Sequence, residues 1–213
     1  MIIDLHVHTN KYSKCSSLAP DEAILRAKER GLDGICLVEH NAIWSKEEIE
    51  QLSARHKYLV LRGMEVDTGY GHILVFGLDS YSKEMRDIER LRTIVEKKGG
   101  LMIAAHPFRT PIYPQGGYGD WQLSLPVEQG VRRRVFSLVD GIEVFNSRSK
   151  PNEGLLALKI SQFLQLKTVA GSDAHKVPEV GASATVFTDT IKDEEEFVMA
   201  LNNDNYYGIN LGS

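Results

Sequence analysis

The chain has 213 residues, of which 42% are hydrophobic and 25% are charged, and its formal net charge is -4. This length fits one domain that buries roughly 70% of the surface of its unfolded chain, and the composition excludes disordered and fibrous proteins. The longest basic run is three arginines at 132 to 134, so the charge gives no footprint for extended nucleic-acid binding.

Short apolar runs alternate with amphipathic stretches along the chain, which is typical of repeated β-α units around a parallel sheet. We predict seven strands near residues 2 to 7, 33 to 38, 58 to 64, 101 to 105, 140 to 145, 167 to 171 and 183 to 187. Helices are predicted over residues 20 to 30, 45 to 56, 83 to 98, 152 to 165 and 193 to 203. Pro20 and two acids open the first helix, and Gly31 ends it.

Two stretches depart from this alternation. The run at 72 to 78 follows a turn at 68 to 71, and we predict that it returns as an antiparallel partner of the third strand or as an extra strand. Residues 110 to 130 contain three prolines, four glycines and Trp121. We interpret this irregular insertion as a loop over the active face, with a plain surface excursion as the alternative. Residues 1 to 213 are otherwise expected to form a single domain.

The two cysteines, Cys15 and Cys36, are too few for a disulfide framework and match no zinc ribbon or redox motif. Patterned sequence starts directly after Met1, without the features of a signal peptide. No apolar run approaches the 18 residues that a membrane span needs. We therefore expect a cytoplasmic protein with no membrane partner.

Six of the seven histidines lie at the start or end of an apolar run. They are His6, His8, His40, His72, His106 and His175. Two carboxylates, Glu65 and Asp173, close apolar runs in the same way. The carboxyl ends of the strands of a parallel barrel meet at one face, so these side chains are expected to converge there.

Strand alternation places His6 and His8 on one face, and Asp173 and His175 on one face. Imidazole nitrogens and carboxylate oxygens are ligands for Zn, Mn or Fe, and a carboxylate such as Glu65 can bridge two ions. Taken singly, each residue is more typical of a hydrogen-bonded structural position. The joint pattern predicts a metal pair that lowers the pKa of a bound water and stabilises an in-line displacement.

Five motifs resemble those of the PHP family, named for polymerase and histidinol phosphatase. They are Asp-Leu-His-Val-His-Thr at 4 to 9, Glu-His at 39 to 40, Gly-Met-Glu-Val at 63 to 66, Ala-His-Pro at 105 to 107 and Gly-Ser-Asp-Ala-His at 171 to 175. Their order is that of the family, and they extend over nearly the whole chain. The resemblance implies an α/β fold, a distorted seven-stranded (β/α)7 TIM-like barrel, with two or three divalent metal ions and hydrolysis of phosphate esters.

The resemblance also implies which residues bind each ion. One ion is assigned to His6, His8, Glu65 and Asp173, a second to Glu65, His72 and His106, and a third to His40 and His175. Many relatives have an aspartate shortly after the first motif, where this chain reads Tyr12 to Ser17 without an acid. The third site is therefore expected to be missing or to use Cys15. Glu39 stands where relatives more often have aspartate, and we expect it to contact the metal ligands rather than the ions.

Substrate contacts are predicted from side chains that follow strand ends. Arg109 and Arg148 are placed to bind phosphate oxygens in a fork, with a surface salt bridge as the alternative for each. Asn146 and Glu143 lie at the same rim, where they would contact a sugar, orient a ligand or have a purely structural role. Asp173 or His175 is predicted to pass a proton to the leaving oxygen. The predicted catalytic residues are Arg109, Asp173 and His175, and the predicted substrate-binding residues are Arg109, Asn146 and Arg148.

The predicted function is metal-dependent hydrolysis of a phosphate monoester of a small molecule, a nucleotide or a related phosphometabolite, by metal-activated water. The predicted cofactors are two or three ions of Mn, Zn or Fe. A nuclease or nucleotide phosphodiesterase is one alternative, since the same ions cleave diesters, although the charge does not favour nucleic acid. A non-catalytic metal-binding regulatory domain is the other. The oligomeric state is not predicted.

Overall fold

A computed structural model describes residues 1 to 109, 127 to 203 and 205 to 212. Most of the irregular insertion predicted at 110 to 130, including Trp121, lies outside these residues. Its last four residues form a short helix, α4 (Val127–Gly130).

Nine strands form one sheet in the described part of the chain. They are β1 (Ile2–Val7), β2 (Gly34–His40), β3 (Leu59–Thr68), β4 (Gly71–Phe76), β5 (Leu101–Ala104), β6 (Gly141–Asn146), β7 (Lys167–Gly171), β8 (Ser183–Phe187) and β9 (Tyr206–Asn210). Their order across the sheet is β7-β6-β5-β4-β3-β2-β1-β8-β9. Strands β1, β2, β3, β5, β6 and β7 share one direction, while β4 and β8 run opposite to them. The edge strand β9 pairs antiparallel with β8 and so has the direction of β1. All seven predicted strands are present, but the prediction of seven (β/α) units is wrong, because the sheet is mixed and has nine strands.

The two additional strands have separate physical causes. β3 and β4 are joined by Gly69 and Tyr70 alone, a connection that permits only an antiparallel return. β9 contains Gly208, where a Cβ atom would lie 2.9 Å from the Cβ of Ala170 on β7. Glycine therefore lets β9 approach β7 closely, and it also weakened the strand pattern in the sequence.

The sheet nearly closes into a barrel where the end of β7 reaches β1. The amide of His8 donates to the carbonyl oxygen of Ala174 at 2.9 Å, and the amide of Ala174 donates to that of His6 at 3.3 Å. A Cβ atom at Gly171 would lie 2.3 Å from the Cβ of His6, so only glycine allows this approach. The carboxyl ends of the six parallel strands consequently share one rim.

Helices pack between the strands as the sequence predicts. They are α1 (Pro20–Glu29), α2 (Lys46–His56), α3 (Ile88–Lys98), α5 (Pro151–Leu164) and α6 (Glu194–Asn203). The single helix predicted over 83 to 98 is wrong, because a 3-10 turn (Lys83–Arg86) precedes α3. Asp87 separates the two, since its side chain accepts the amides of Glu89 and Arg90 and caps α3.

Buried apolar side chains from several strands form one hydrophobic cluster with Phe197 of α6. They include Ile3, Cys36, Phe76 and Ile103, and Cys36 serves here as a small buried hydrophobe. Among the residues that the structure describes, no helix has the length and apolar character needed to cross a bilayer.

Candidate metal centre

All eight predicted ligands lie on the rim formed by the carboxyl ends of the parallel strands. They are His6 and His8 at the end of β1, His40 at the end of β2, Glu65 on β3, His72 at the start of β4, His106 after β5, and Asp173 and His175 after β7. His72 reaches this rim because β4 is antiparallel, so that its first residues pair with the last residues of β3.

Glu65 lies at the centre of this rim and is fully buried. Its Oε1 atom lies 2.8 Å from Nδ1 of His72 and 2.9 Å from Nε2 of His106. Its Oε2 atom lies 3.1 Å from Nε2 of His8 and 3.1 Å from Nδ1 of His40. Oε2 nevertheless makes no hydrogen bond in the described structure. A buried carboxylate oxygen without a hydrogen bond, facing two imidazole nitrogens, is suited to a cation.

His6, His8 and Asp173 extend the same arrangement. Asp173 Oδ1 lies 3.5 Å from His6 Nε2 and 3.3 Å from His8 Nε2, and His6 Nε2 lies 3.5 Å from Glu65 Oε1. Two ligands bound at roughly 2.1 Å to a tetrahedral ion stand about 3.4 Å apart. These separations therefore fit a shared ion, and the donors are of the types that Zn, Mn and Fe accept.

Four groups of three side chains contain all eight predicted ligands, with the ligand atoms of each group within 4.8 Å of one another. The groups are His6, His8 and Glu65; His6, His106 and Asp173; Glu65, His72 and His106; and His8, His40 and His175. Cys15 belongs to none of the groups found among the described residues. The position predicted for a third ion therefore has three imidazoles in place of the missing acid.

Glu143 on β6 supports the centre from behind. Its Oε1 atom accepts a hydrogen bond from Nδ1 of His6 at 2.8 Å, and its Oε2 atom accepts the backbone amide of His106 at 2.8 Å. The amide group of Asn146 donates to the same Oε2 at 3.0 Å. A carboxylate on the far nitrogen of an imidazole fixes the ring and directs its other nitrogen to the ion.

Glu39 occupies a comparable position behind His8. It accepts hydrogen bonds from the hydroxyls of Thr9 and Ser13 and from the indole N–H of Trp44. Ser13 Oγ in turn lies 3.3 Å from Nδ1 of His8. Glu39 thus acts on His8 through Ser13.

The charges of the centre depend on one another. Burial alone would lower the pKa of His6, but Glu143, Asp173 and Glu65 raise it well above its ordinary value. Burial would raise the pKa of Glu65, but His6 and hydrogen bonds from His106 and His72 hold it well below its ordinary value. Burial would likewise raise the pKa of Asp173, which His6, His8 and Arg109 lower strongly. The carboxylates are therefore ionised and favour positive charge at the rim.

The backbone is strained at this rim. His106, Asp173 and Asn41 have φ values of 28°, 56° and 50°, a region that L-residues adopt at a cost. In the described part of the chain the other two non-glycine residues with positive φ, Lys57 and Gln165, end helices α2 and α5. Strain outside helix ends is therefore confined to the rim.

Two arginines reach the rim as the sequence predicts. Arg109 donates through Nη1 to Asp173 Oδ2 and, at 3.2 Å, to Asn146 Oδ1. Arg148 Nη1 lies 2.9 Å from His175 Nδ1. Asn146 is buried, and both ends of its amide are engaged, because its Oδ1 also accepts the amide of Arg148. Its side chain thus orients Arg109.

A cavity of about 540 Å³ adjoins the centre. His72 and His106 line the side toward the rim, and Ala105, Pro107 and Val135 line an apolar wall. The arginine run at 132 to 134 also borders the cavity. The basic run in the sequence therefore lies beside the centre.

Asp67 lies at this rim but was not predicted from the sequence as a ligand. Asp67 Oδ1 lies 3.4 Å from His72 Nε2 and 3.6 Å from His40 Nδ1, and the three form a fifth group of ligand type. The available signal was strand alternation, which places Asp67 on the same face as Glu65.

Comparison with known proteins agrees with this geometry. The sequence pattern of the PHP domain matches residues 4 to 119, and that of a region described as PHP-associated matches residues 152 to 206. The chain is 29% identical over 159 residues to the uncharacterized protein MJ1587 of Methanocaldococcus jannaschii, covering 69% of this chain and 82% of that one.

Two solved structures share the fold. A two-domain protein of Bacteroides vulgatus, containing a predicted PHP-like metal-dependent phosphoesterase, superposes with a TM-score of 0.67 at 16% identity over 98% of this chain and 64% of that chain. This chain thus spans less than two thirds of that protein. PsfC of Pseudomonas syringae superposes with a TM-score of 0.62 at 19% identity over 98% of this chain and 90% of that chain. With the PHP pattern matching more than half of its residues, the chain belongs to the PHP domain family.

Proposed function

We propose that this chain hydrolyses a phosphate monoester of a small molecule with the help of divalent metal ions held by the rim histidines and carboxylates. The observation that carries the proposal is the position of Glu65, whose buried Oε2 makes no hydrogen bond and faces imidazole nitrogens from β1 and β2. Its other oxygen faces imidazoles from β4 and β5. Glu65 is thus placed between two groups of ligands, as a bridging carboxylate is.

We assign one ion to the group of His6, His8 and Glu65 and a second to the group of Glu65, His72 and His106, and His175 belongs to neither group. Mn, Zn and Fe are the metals that this donor set favours. Bound divalent ions would neutralise charge on the phosphoryl oxygens and lower the pKa of water at the centre.

The protein side chains hold the substrate and carry protons. Arg109 is directed into the centre by Asn146 and Asp173, where its guanidinium would bind phosphate oxygens in a fork. His175 is more exposed than Asp173, at 10% against 1% of its side chain. We propose that His175 delivers the proton to the leaving oxygen and that Asp173 serves as a ligand.

The cavity next to His72 and His106 supports a small substrate. Its volume of about 540 Å³ is in the range of pockets that enclose metabolite-sized ligands. The apolar wall would hold the organic part of the substrate while the phosphate lies at the centre. The net charge of -4 gives no support for binding a long nucleic-acid backbone.

The test begins with protein stripped of metal by a chelator and dialysed. Hydrolysis of an aryl phosphate and of a panel of phosphorylated metabolites is measured before and after adding Mn²⁺, Zn²⁺ or Fe²⁺. We expect no turnover without metal and recovery with at least one ion. Full activity in the chelator would contradict the proposal.

A pair of histidine variants provides a matched control. His8→Ala removes a ligand-type nitrogen from the centre. His56→Ala removes the one histidine outside it, which ends α2 and pairs with Asp21 of α1. We expect His8→Ala to lose at least a hundredfold in kcat/KM and His56→Ala to retain the wild-type value.

The same assay separates the alternatives. Faster cleavage of short oligonucleotides or nucleotide diesters than of monoesters would favour a phosphodiesterase. Tight metal binding without turnover of any substrate would favour a regulatory metal-binding domain.

A further inference from the structure

We propose that Asp67, His40 and His72 form an additional, weaker divalent-cation site at the outer edge of the metal centre. This inference rests on the proposed function, because it extends the same centre. The three side chains come from neighbouring positions on the rim: the end of β2, the end of β3 and the start of β4. Their exposed fractions are 27%, 34% and 36%, whereas Glu65 is fully buried.

The separations of the ligand atoms suit an ion better than a hydrogen bond. Asp67 Oδ1 lies 3.4 Å from His72 Nε2 and 3.6 Å from His40 Nδ1. Both distances exceed the usual range of an N–H···O hydrogen bond. They are close to the roughly 3.4 Å expected between two ligands of a tetrahedral ion.

Asp67 is held in this orientation by Asn41. The side-chain amide of Asn41 donates to Asp67 Oδ2 at 2.5 Å, and the backbone amide of Asp67 donates to Asn41 Oδ1 at 3.0 Å. The left-handed backbone of Asn41, with φ of 50°, makes this paired contact possible. Because Oδ2 is engaged by Asn41, Oδ1 is the oxygen presented to the two histidines.

The tautomer of His72 follows from the same geometry. The 2.8 Å contact between His72 Nδ1 and Glu65 Oε1 is a hydrogen bond, so Nδ1 carries the proton and Nε2 has the free lone pair. That lone pair lies on the side of Asp67. A neutral imidazole has one lone pair, so His72 serves the outer ion or an inner ion, but not both at once. The same holds for His40, whose Nδ1 also lies 3.1 Å from Glu65 Oε2.

The competition of the outer and inner ions for His72 has a measurable consequence. At low metal concentration the deeper groups around Glu65 fill first, because their ligands other than His72 are buried and because Glu143 and Glu39 orient His6 and His8. At high concentration the outer ion binds and keeps His72 from the inner ion. Excess metal is therefore expected to inhibit the wild-type protein.

The test counts bound Mn²⁺ by electron paramagnetic resonance of the free ion during titration of metal-free protein. We expect wild type to show a tight class and a weaker class of sites. Asp67→Asn, which replaces the carboxylate by an amide of equal size, should lose the weaker class and keep the tight class within about threefold. The inhibition by excess Mn²⁺ should disappear in the same variant.

Two further variants complete the design. Asn41→Gly keeps the left-handed backbone but frees Asp67, and should weaken the outer class at least tenfold. Asp79→Asn, on an exposed aspartate that pairs with Arg62, should bind Mn²⁺ as wild type does. The inference is overturned if Asp67→Asn retains the weaker class, or if it loses tight-class affinity instead, as a residue that only orients His72 would. Wild type that binds no Mn²⁺ at all would overturn the proposed function itself.

Discussion

Glu143 and His6 are joined across 137 positions of sequence by a buried hydrogen bond of 2.8 Å from Nδ1 to Oε1. The opposite nitrogen of the same ring, Nε2, faces Glu65 and Asp173. The orientation of His6 toward the centre is therefore set by a residue on another strand.

Replacing Glu143 with glutamine should weaken metal binding. The other oxygen of Glu143 accepts both the backbone amide of His106 and the side-chain amide of Asn146. A glutamine amide cannot accept all three donors, so either His6 or His106 loses its fixed position. We expect affinity for Mn²⁺ or Zn²⁺, measured by competition with a chromogenic chelator, to fall by roughly 10- to 100-fold.

The control is Glu153→Gln. Glu153 is also buried, but it accepts the backbone amide of Lys150 at the start of α5, a bond that a glutamine oxygen preserves. Metal affinity in this variant should equal that of wild type. Equal losses in both variants would show that any buried charge change perturbs the centre, and would remove the specific role given to Glu143.

The close approach of β7 to β1 makes Gly171 a second sensitive position. A Cβ atom there would lie 2.3 Å from the Cβ and 2.7 Å from the amide nitrogen of His6. Gly171→Ala must therefore push β1 and β7 apart. We expect the free energy of unfolding, measured in urea, to fall by about 1–3 kcal/mol, with weaker metal binding because His6 moves.

Gly69→Ala is the matched substitution. Gly69 lies between β3 and β4, and a Cβ atom there would meet no other atom within 4 Å. We expect a change in unfolding free energy below about 0.5 kcal/mol. If Gly171→Ala were as stable as Gly69→Ala, the contact between β7 and β1 would be looser than the structure shows.

A substitution of Arg109 tests how the protein binds the phosphate group of the substrate. Among the described residues the Arg109 guanidinium contacts Asp173 and Asn146 through the same nitrogen, so within this part of the chain its other N–H groups are available for substrate oxygens. Lysine keeps the charge but not the fork. We expect Arg109→Lys to lose roughly a hundredfold in kcat/KM with no change in the number of bound ions.

Arg90→Lys serves as the comparison, because among the described residues the guanidinium of Arg90 makes only a 3.9 Å contact with Glu84 on the surface. Its kcat/KM should match that of wild type. A loss of bound metal in Arg109→Lys, with unchanged turnover per bound ion, would instead assign Arg109 to the support of Asp173.

Much of the site could be predicted because strand ends are legible in sequence. An apolar run that stops at a histidine or carboxylate fixes both the end of the strand and the rim on which the side chain lies, as for His40 and Asp173. The position of His72 depended on an antiparallel strand, which the two-residue turn between β3 and β4 made readable. Asp67 followed Glu65 by two positions, but a lone aspartate before a turn is also a common turn residue.

Other features had no local signature. The partner of His6 lies on β6, and only the folded sheet brings Glu143 beside it. The positive φ angles of His106 and Asp173 could not be read from the sequence, because Asp and His adopt that region more often than most residues but still at few positions. Strand β9 was not predicted, because Gly208 weakens its strand pattern. Glycine is needed at this position because of the close contact with Ala170 on β7.

A last prediction concerns Glu48, which attaches the segment after His8 to α2. Its carboxylate accepts hydrogen bonds from Lys11 Nζ at 2.5 Å, Tyr12 Oη at 3.1 Å and the amide of Ser45 at 2.9 Å. The bond from Lys11, followed by those from Ser45 and Tyr12, outweighs burial and lowers the pKa of Glu48 from 4.5 to about 2. A carboxyl whose pKa is lower in the folded state stabilises the fold above its unfolded pKa and loses this effect as the pH falls through the folded value.

Glu48→Gln should therefore cost about 1 kcal/mol of unfolding free energy at pH 7, and the difference from wild type should shrink between pH 5 and pH 2. Glu47→Gln, on the neighbouring residue that contacts only Gln51 among the described side chains, should show no such pH dependence. A Glu48→Gln deficit that stays constant as the pH falls would mean that the packing of the side chain, rather than its charge, holds the segment in place.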